Sequence, residues 1–298
     1  MGLDFQEKAV PAIDRRDCSK CGQCAEVCPS DTLAMEDGEV CVRQRTFVGC
    51  FGCGQCMMVC PTGSIAVTGR RLKPEHVVEL PPPERRATAD HLDSLLLCRR
   101  SIRRFKDQEV DRELVERIVE MACTAPMGAP PSEVGITIIH GREKVRAFSE
   151  DVLHAFEKSI PILNPLVLRL LRPLMCKEER KLIQDFVRPV MQLDVEKWKN
   201  GIDKFSYGAP LAMIFHRTPL ADGADAHIAM TYAMLAAESL GLGSCCIGMS
   251  VALNHYKDLK GKYRIHRESE VSGMLVIGYP AIKFQRTVRR QLASVEFV

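Results

Sequence analysis

Cys18-Ser-Lys-Cys21-Gly-Gln-Cys24-Ala-Glu-Val-Cys28-Pro29 lies near the start of the chain, and Cys50-Phe-Gly-Cys53-Gly-Gln-Cys56-Met-Met-Val-Cys60-Pro61 repeats its spacing 32 residues later. Both stretches follow the pattern Cys-x2-Cys-x2-Cys-x3-Cys-Pro. An iron–sulfur cubane needs four thiolates around one point, and the x2 spacings allow a tight loop to present three of them. Zinc sites more often use two Cys-x2-Cys pairs. The repeat therefore predicts two [4Fe–4S] clusters.

The two runs resemble bacterial two-cluster ferredoxins, in which the cysteine before proline ligates the other cluster. That resemblance implies that the last cysteine of each run crosses over. One cluster is then held by Cys18, Cys21, Cys24 and Cys60, and the other by Cys50, Cys53, Cys56 and Cys28. Cys41 belongs to neither run and is interpreted as a small buried apolar residue rather than a cluster ligand.

The composition limits the class of protein. The chain has 298 residues, 14 cysteines and a formal net charge of +3, which is too small to indicate nucleic acid as a partner. No apolar leader and no uninterrupted apolar run of membrane-spanning length is present, since the stretch from Ile160 to Met175 contains three prolines and two arginines. Clustered cysteines without a secretion signal predict a cytoplasmic protein that uses them for metal or redox chemistry.

Proline and cysteine content divide the chain. Nine of the 14 cysteines precede residue 61, whereas the segment 73–90 contains Pro74 and the run Pro81 to Pro83. We expect a two-cluster domain at 1–72, a proline-rich linker at 73–90 and a second domain at 91–298. In that second domain, periodicity predicts strands at 134–139, 211–215 and 274–277, a helix after Asp111 and a helix over 224–240 that stops at Gly241.

The second domain opens on Arg99-Arg100-Ser101-Ile102-Arg103-Arg104-Phe105. Taken alone, this segment fits a solvated basic face, a phosphate site or a nuclear-localisation-like patch. Arginine suits a phosphate because its guanidinium makes bidentate, charge-assisted hydrogen bonds. In position and pattern the segment is similar to the Arg-x-Ser-x-Arg/Lys-x-Phe motif of the nitroreductase family.

Three further segments resemble the same family in the same order: Ala125 to Ser132, Leu240 to Gly248, and Ile277-Gly278-Tyr279-Pro280 followed by Arg289-Arg290. The resemblance implies an FMN site at the subunit interface, with arginines on the phosphate and backbone amides near N5 and O4 of the flavin. Met127 replaces the family's usual serine in the second segment, and the usual Asn and Gln are missing. The implied FMN-binding residues are Arg99, Arg100, Ser101, Arg103, Pro126, Met127, Gly128, Ile247, Gly248, Arg289 and Arg290.

These observations predict an α+β protein in which a small two-cluster ferredoxin-like domain is fused to a nitroreductase-like domain with a mixed sheet and flanking helices. The expected function is an FMN-dependent oxidoreductase that passes electrons from the clusters to FMN and then to a nitroaromatic, a quinone or an activated alkene. A homodimer, a small-molecule acceptor and a ferredoxin or NAD(P)H-linked donor are the expected partners. Two alternatives remain: an electron relay to a protein partner, and a dehalogenase or flavin-modifying enzyme on the same fold. No residue is assigned as a catalytic acid.

Overall fold

The computed structural model describes residues 8–43, 48–128, 131–170 and 176–297. The cysteine-rich part consists of short elements: β1 (Val10–Ile13), α1 (Gln23–Glu26), β2 (Leu33–Glu36), β3 (Glu39–Val42), α2 (Gln55–Val59) and β4 (Ile65–Thr68). β1 pairs with β4, and β2 pairs with β3, both antiparallel. Leu33, Val40, Ile65 and Val67 form a small core with the motif cysteines Cys24 and Cys56.

The sequence repeat is also a structural repeat. In each motif the third cysteine lies on a single helical turn, α1 or α2, that follows a glycine. Gly22 and Gly54 have φ values of 78° and 74°, a left-handed conformation that residues with a side chain rarely adopt. These glycines reverse the chain so that the helical turn places its cysteine inside the core.

The segment between the two parts is exposed from Lys73 to Asp90. It contains two 3-10 turns, Pro74–His76 and Pro83–Arg85, each with proline at its start. Its prolines fix φ and supply no backbone donor, so this segment joins no sheet.

The second part contains one sheet and most of the helices. In chain order its elements are α3 (Ala89–Cys98), α4 (Arg112–Ala122), β5 (Val134–His140), α5 (Arg142–Ser159), α6 (Pro165–Leu170), α7 (Lys177–Leu182), α8 (Arg188–Lys199), β6 (Leu211–Arg217), α9 (Asp225–Ser239), β7 (Gly243–Ile247), α10 (Lys257–Lys262) and β8 (Glu270–Gly278). A π-helical turn, Ile183–Val187, joins α7 to α8, and a 3-10 segment, Gly248–His255, follows β7. The predicted strands and helices are all present, with ends that differ by a few residues.

The sheet has the strand order β5-β6-β8-β7, and every neighbouring pair is antiparallel. An isolated parallel bridge joins Ser101 to Ser244 at the β7 edge. The expected mixture of strand directions is therefore confined to this one bridge among the described residues. The α+β fold class itself is confirmed.

Helices cover both faces of the sheet. Along β6, Ala212 and Ile214 belong to the core formed with α5 and α8, whereas Leu211, Met213 and Phe215 belong to the core formed with α4 and α9. This alternation follows from the two-residue period of a strand. A strand buried on both faces explains why β6 reads as a continuous apolar run.

The stretch from Ile160 to Met175 contains the short helix α6, with Leu166 exposed; residues 171–175 lie outside the described part. Within the described ranges, no helix combines the length and the hydrophobicity needed to cross a bilayer.

Candidate functional site

The cysteines of the N-terminal part converge on two separate cavities. Cys18, Cys21 and Cys24 line the first cavity together with Cys60, which comes from the other motif. Cys50, Cys53 and Cys56 line the second cavity together with Cys28. The structure thus brings together the same two sets of four thiols that the sequence assigned. Because the fourth thiol of each set comes from the other repeat, each cavity is lined by cysteines from both motifs.

The crossing cysteines carry hydrogen-bond partners that stabilise a thiolate. Cys60 Sγ lies 3.7 Å from Thr62 Oγ1 and 3.7 Å from Ser64 Oγ, and Cys28 Sγ lies 3.7 Å from Ser30 Oγ. Burial raises the pKa of Cys60, but these hydroxyls and the nearby backbone amides outweigh it and lower the pKa to about 7. Burial also raises the pKa of Cys28, but hydrogen bonds from the backbone amides of Leu33 and Ser30 outweigh it. The pKa of Cys28 therefore also lies below its ordinary value. Such donors favour the ionised form that metals require.

The cysteines on α1 and α2 behave oppositely. Burial raises the pKa of Cys24, and it raises that of Cys56 to about 12. Metal binding at these positions must displace a proton, so cluster affinity depends on pH. Within the described ranges, no three His, Cys, Asp or Glu side chains come together at the spacing that a single metal ion requires. The thiols are instead spread over the walls of the two cavities, and four thiols per cavity fit a four-iron cluster.

The Arg99–Phe105 segment is attached to the edge of the sheet. Ile102 N donates to Ser244 O at 2.9 Å, and Ile102 is buried against Gly243 of β7. Gly243 is necessary here because a Cβ atom at this position would lie 2.9 Å from Ile102 Cβ and 2.9 Å from Pro280 Cγ. The family-like segments Leu240 to Gly248 and Ile277 to Pro280 therefore both meet the Arg99–Phe105 segment at β7.

The three arginines of this segment that are assigned to FMN, and its serine, face different surroundings. Arg99 Nη1 lies 3.6 Å from Met234 Sδ on α9, while the side chains of Ser101 and Arg103 both lower the pKa of the Cys245 thiol on β7. Burial raises the pKa of Cys245. The positive charge of Arg103 opposes that rise most strongly, and the Ser101 hydroxyl adds to its effect. Arg103 is exposed, and its guanidinium lies 5.9 Å from the centre of the Tyr207 ring.

Arg100 lines a cavity of about 670 Å³ between α3 and the segment that follows β8. Its Nη1 donates to Arg99 O at 2.5 Å, whereas its Nη2 is buried without a hydrogen-bond partner among the described residues. The rest of the wall includes the basic residues Lys106, Lys283 and Arg286 and the acidic residue Glu238. Burial raises the pKa of Glu238, and the charges of Arg99 and Arg100 act against that rise. A buried, unpaired guanidinium nitrogen in a basic cavity fits a phosphate group.

The remaining expected FMN residues lie on three separate segments of the chain. Ile247 is buried at the end of β7, and its carbonyl accepts from Ser250 Oγ at 2.7 Å, while Gly248 is exposed at the start of the 3-10 segment. Cys245 and Cys246 alternate between the two faces of β7, one buried and one exposed, so they do not form a disulfide.

The loop with Pro126, Met127 and Gly128 is held to α9 rather than to the Arg99 segment. Gly128 N donates to Asp225 Oδ1 at 3.0 Å, and Pro126 is exposed. Residues 129 and 130 of this loop lie outside the described part. At the C-terminal end, Arg289 Nη2 lies 3.6 Å from Asp93 Oδ2 on α3, and Arg290 is exposed. The structure does not bring these five residues onto Arg103, and the resemblance alone assigns them to FMN.

Sequence reasoning missed the loop opposite Arg103. Asp203 accepts from the backbone amides of Phe205, Ser206 and Gly208 at 2.8–3.0 Å, and this loop holds Tyr207 with φ 56°, in the left-handed region. Asp194 on α8 is buried nearby, and burial followed by repulsion from Asp203 raises its pKa to about 6. No spacing in the sequence marks Tyr207 or Asp194, because only the fold brings α8 and this loop to Arg103.

Comparisons with known proteins match both parts of the chain. The Nitroreductase family matches residues 96–279, and a 4Fe-4S dicluster domain matches residues 17–65. No curated protein matches the sequence. A nitroreductase with bound FMN from Bacteroides fragilis NCTC 9343 is 19% identical, covers 70% of this chain and 97% of its own, and has a TM-score of 0.50. An FMN- and NADPH-dependent nitroreductase from Sphigopyxis sp. strain HMH is 21% identical over 69% of this chain and 97% of its own, also at 0.50. At these identities the likeness concerns the fold.

The two cysteine cavities and the helix-covered sheet define an oxidoreductase with an N-terminal 4Fe-4S dicluster domain. Since the family match spans well over half of its residues, the chain belongs to the nitroreductase family.

Proposed function

We propose that this chain is an FMN enzyme that receives electrons one at a time through two [4Fe–4S] clusters and delivers them in pairs to a small acceptor. The observation that carries the proposal is the convergence of four thiols on each of two cavities in a member of the nitroreductase family. A nitroreductase domain that accepts hydride directly has no need of clusters. A donor of single electrons, such as a reduced ferredoxin, explains the fusion.

Each group of residues has a defined task in this proposal. The four thiolates around each cavity hold a cluster, and the hydroxyls of Thr62, Ser64 and Ser30 donate to the crossing cysteines. Arg100, at the basic cavity, binds the FMN phosphate. The family resemblance assigns Arg99, Ser101, Arg103, Arg289 and Arg290 to other contacts with FMN. Pro126, Met127, Gly128, Ile247 and Gly248 contribute backbone around the ring. FMN supplies hydride transfer, and the chain supplies orientation and charge.

The electron balance needs no further co-reactant. Two electrons enter separately from the donor, one proton comes from solvent, and the pair leaves as a hydride equivalent to the acceptor. Nitroaromatics, quinones and activated alkenes are the acceptor classes that fit an open flavin face. A cytoplasmic homodimer, with FMN at the subunit interface, completes the proposal; it rests on the family resemblance and on the reduced cysteines.

The proposal is tested by anaerobic stopped-flow reduction of the full chain, its Cys18→Ser variant and its Cys41→Ser variant. Cys41 is a matched control because it lies in the same module, on β3, outside both cavities. Reduced ferredoxin should reduce FMN rapidly in wild type and in Cys41→Ser, and at least tenfold more slowly in Cys18→Ser, whereas excess dithionite should reduce all three.

Three outcomes would redirect the assignment. Equal rates in all three proteins with ferredoxin would remove the clusters from the input route. Rapid FMN reduction without turnover of any nitroaromatic, quinone or activated alkene would favour a relay to a protein partner. Rapid reduction by NAD(P)H in the Cys18→Ser variant would replace ferredoxin by a hydride donor.

A further inference from the structure

The turn from Gly69 to Leu72 connects the N-terminal module, which contains both cysteine cavities, to the second domain. Arg71 Nη1 donates to Ser132 O at 2.5 Å, across 61 positions of sequence. Leu72 packs against Gly54, where a Cβ atom would lie 3.4 Å from Leu72 Cδ2. Gly54 itself lines the second cavity. One turn therefore contacts both the wall of the second cavity and the loop that ends at Ser132.

Ser132 and the Arg99–Phe105 segment, called the flavin segment below, lie at opposite edges of the sheet. Ser132 precedes β5 by two positions, whereas the flavin segment is hydrogen-bonded to Ser244 of β7. In the strand order β5-β6-β8-β7 these are the two edge strands, three strand spacings apart. At about 4.8 Å per spacing, the two edges are separated by about 14 Å. The module therefore touches the edge that is farther from the flavin segment.

The two points are also displaced along the strands. The start of β5 pairs with Arg217, and Arg217 pairs with Glu270, the first residue of β8. Ser244 pairs with Ile277, which lies seven residues further along β8. At about 3.4 Å per residue, this displacement adds about 24 Å. The diagonal of the sheet thus places the contact point of the module about 28 Å from the flavin segment of its own chain.

The loop that ends at Ser132 is held away from the flavin segment on α9 as well. Gly128 N donates at 3.0 Å to Asp225, the first residue of α9, whereas Arg99 lies against Met234, nine residues further along that helix. Nine residues of α-helix span about 13 Å. The family resemblance assigns this loop and the flavin segment to one flavin site, yet the described residues of one chain hold them apart. A second copy of the chain has to supply one of the two.

The linker is long enough for this arrangement. The exposed stretch 73–88 contains 16 residues between the turn and α3, and α3 leads directly into the flavin segment. At about 3.1 Å per residue in an extended, proline-rich conformation, it can span up to about 50 Å. The diagonal of the sheet lies well within that reach. The linker therefore does not hold the module beside the flavin segment of its own chain.

Exposed apolar side chains mark the surface around the flavin segment as a contact for another chain. Two of them lie on α3 and three in the stretch after β8: Leu92, Leu96, Phe284, Val288 and Leu292. The two stretches run side by side, since an ion pair joins them. Contiguous apolar surfaces on soluble proteins are typical of contact sites. A second copy of this chain is the partner that fits, because it also carries the missing loop.

We propose that electrons cross between subunits: in a two-fold dimer of this chain, the clusters of one subunit reduce the FMN that the flavin segment of the other subunit holds. The loop that ends at Ser132 brings the second cavity of its own chain to that flavin, and the symmetry makes the exchange mutual. Electron tunnelling slows steeply with distance, so the flavin across the sheet is served poorly. Two single-electron transfers and one proton from solvent reduce the FMN by one hydride equivalent, and the single-electron donor restores the clusters. This inference rests on the proposed function.

The experiment compares two mixed dimers, each purified through two different affinity tags and each able to bind one FMN. In the split dimer, one subunit carries Cys18→Ser and keeps its flavin segment. The other subunit keeps its clusters and carries Arg99→Ala, Arg100→Ala and Arg103→Ala. In the joined dimer, one subunit is wild type and the other carries all four substitutions. Native mass spectrometry and flavin content verify both compositions, and homodimers of wild type and of Cys18→Ser are the references.

Each dimer is mixed anaerobically with reduced ferredoxin, and FMN reduction is followed by the loss of flavin absorbance. The split dimer should reduce its FMN near the wild-type rate, because intact clusters lie beside the one bound flavin. The joined dimer should be at least tenfold slower, because its intact clusters face the empty flavin site. A joined dimer as fast as the split dimer, or faster, would overturn the inference and leave the proposed function standing. Equal rates in the two reference homodimers would contradict the proposed function, and the inference with it.

The contact at Ser132 is tested in the split dimer. Arg71→Gln on the cluster-bearing subunit should slow FMN reduction several-fold, because it removes the hydrogen bond that docks the module. Lys73→Gln is the matched control, since it removes a neighbouring exposed charge of the same module. Equal rates for these two variants would also overturn the inference, because docking at Ser132 carries it.

A structural readout needs neither donor nor acceptor, and it decides alone should the mixed dimers not assemble. A benzophenone amino acid replaces Met127 in otherwise wild-type subunits, which are mixed with isotope-labelled partner subunits. Photolysis should join position 127 to the flavin segment, or to the segment from Leu240 to Gly248, in peptide pairs of mixed isotopes. Cross-links confined to one chain, or a protein that is monomeric in native mass spectrometry, would overturn the inference even where the clusters feed FMN.

Discussion

Replacing Gly243 by alanine should displace the Arg99–Phe105 segment from β7 without removing any side chain that the proposal assigns to FMN. The added Cβ would lie 2.9 Å from both Ile102 Cβ and Pro280 Cγ, and closer still to Ile102 Cγ1. These are not the ends of flexible side chains. Ile102 is buried, and its backbone amide is hydrogen-bonded to Ser244. The Pro280 side chain is a rigid ring that cannot rotate away. The Arg99–Phe105 segment itself therefore has to move.

Overpacking of this kind costs about 1–3 kcal/mol. For a domain of this size each kcal/mol lowers the melting temperature by about 2–4 °C. Thermal unfolding is followed by far-UV circular dichroism, and FMN release is followed by flavin fluorescence in the same scan. FMN retention should fall as well, because Ser101 and Arg103 move together with Ile102.

Gly261→Ala is the matched control. Gly261 lies in α10, and a Cβ atom there meets no heavy atom within 4 Å. Its replacement should leave FMN bound and stabilise the helix by about 0.5–1 kcal/mol. Ile102→Ala in the Gly243→Ala background removes the atom that is closest to the new methyl group, so the two changes should be less than additive by about 0.5–3 kcal/mol. Additive losses, or a Gly243→Ala protein as stable as wild type with full FMN, would refute the reasoning.

Three further predictions follow from the two sites. Arg100→Ala should weaken FMN retention by about 1.5–3 kcal/mol, the loss of a charged hydrogen bond, and should leave riboflavin affinity unchanged in equilibrium dialysis; equal losses for both flavins would move the phosphate elsewhere. Anaerobically purified protein should contain eight irons per chain, two four-iron clusters, and Cys60→Ser should abolish the EPR signal of the Cys18 cluster rather than that of the Cys50 cluster. Since the folded state raises the pKa of Asp194 from 3.8 to about 6, it binds this proton more tightly than the unfolded chain. The free energy of unfolding should therefore fall by on the order of 2 kcal/mol as the pH rises from 4 through 6. In urea unfolding, Asp194→Asn should abolish that fall, whereas Asp185→Asn, on the same helical segment, should preserve it.

The parts of the structure that were predictable are those set by local spacing. The x2 intervals and the following Cys-Pro fix each cysteine run within a single loop and helical turn, so the sequence alone identifies all eight thiols. The same holds for β6 and α9, whose apolar runs end at turn residues such as Gly241. In each case the information lies within one short, continuous stretch of the sequence.

The environment of single arginines was not predictable. Arg99 and Arg100 are adjacent and chemically identical in the sequence, yet one lies against Met234 and the other lines the cavity beside Glu238. Backbone contacts with β7 determine which of the two arginines faces the cavity, and those contacts join residues more than 100 positions apart.

The exchange of Cys28 and Cys60 between the two cavities has a consequence for how the N-terminal module is made. With the proposed ligands, neither repeat owns a complete site, so a half-module translated or excised alone would offer only three thiols to its own iron. Each cluster would link the first repeat to the second. Binding of one cluster would therefore bring the fourth ligand of the other cluster into position. We therefore expect maturation to be all-or-none, with fully loaded and iron-free chains in an iron-starved cell and few that carry a single cluster. Iron supply would then control the number of working molecules rather than the quality of each one.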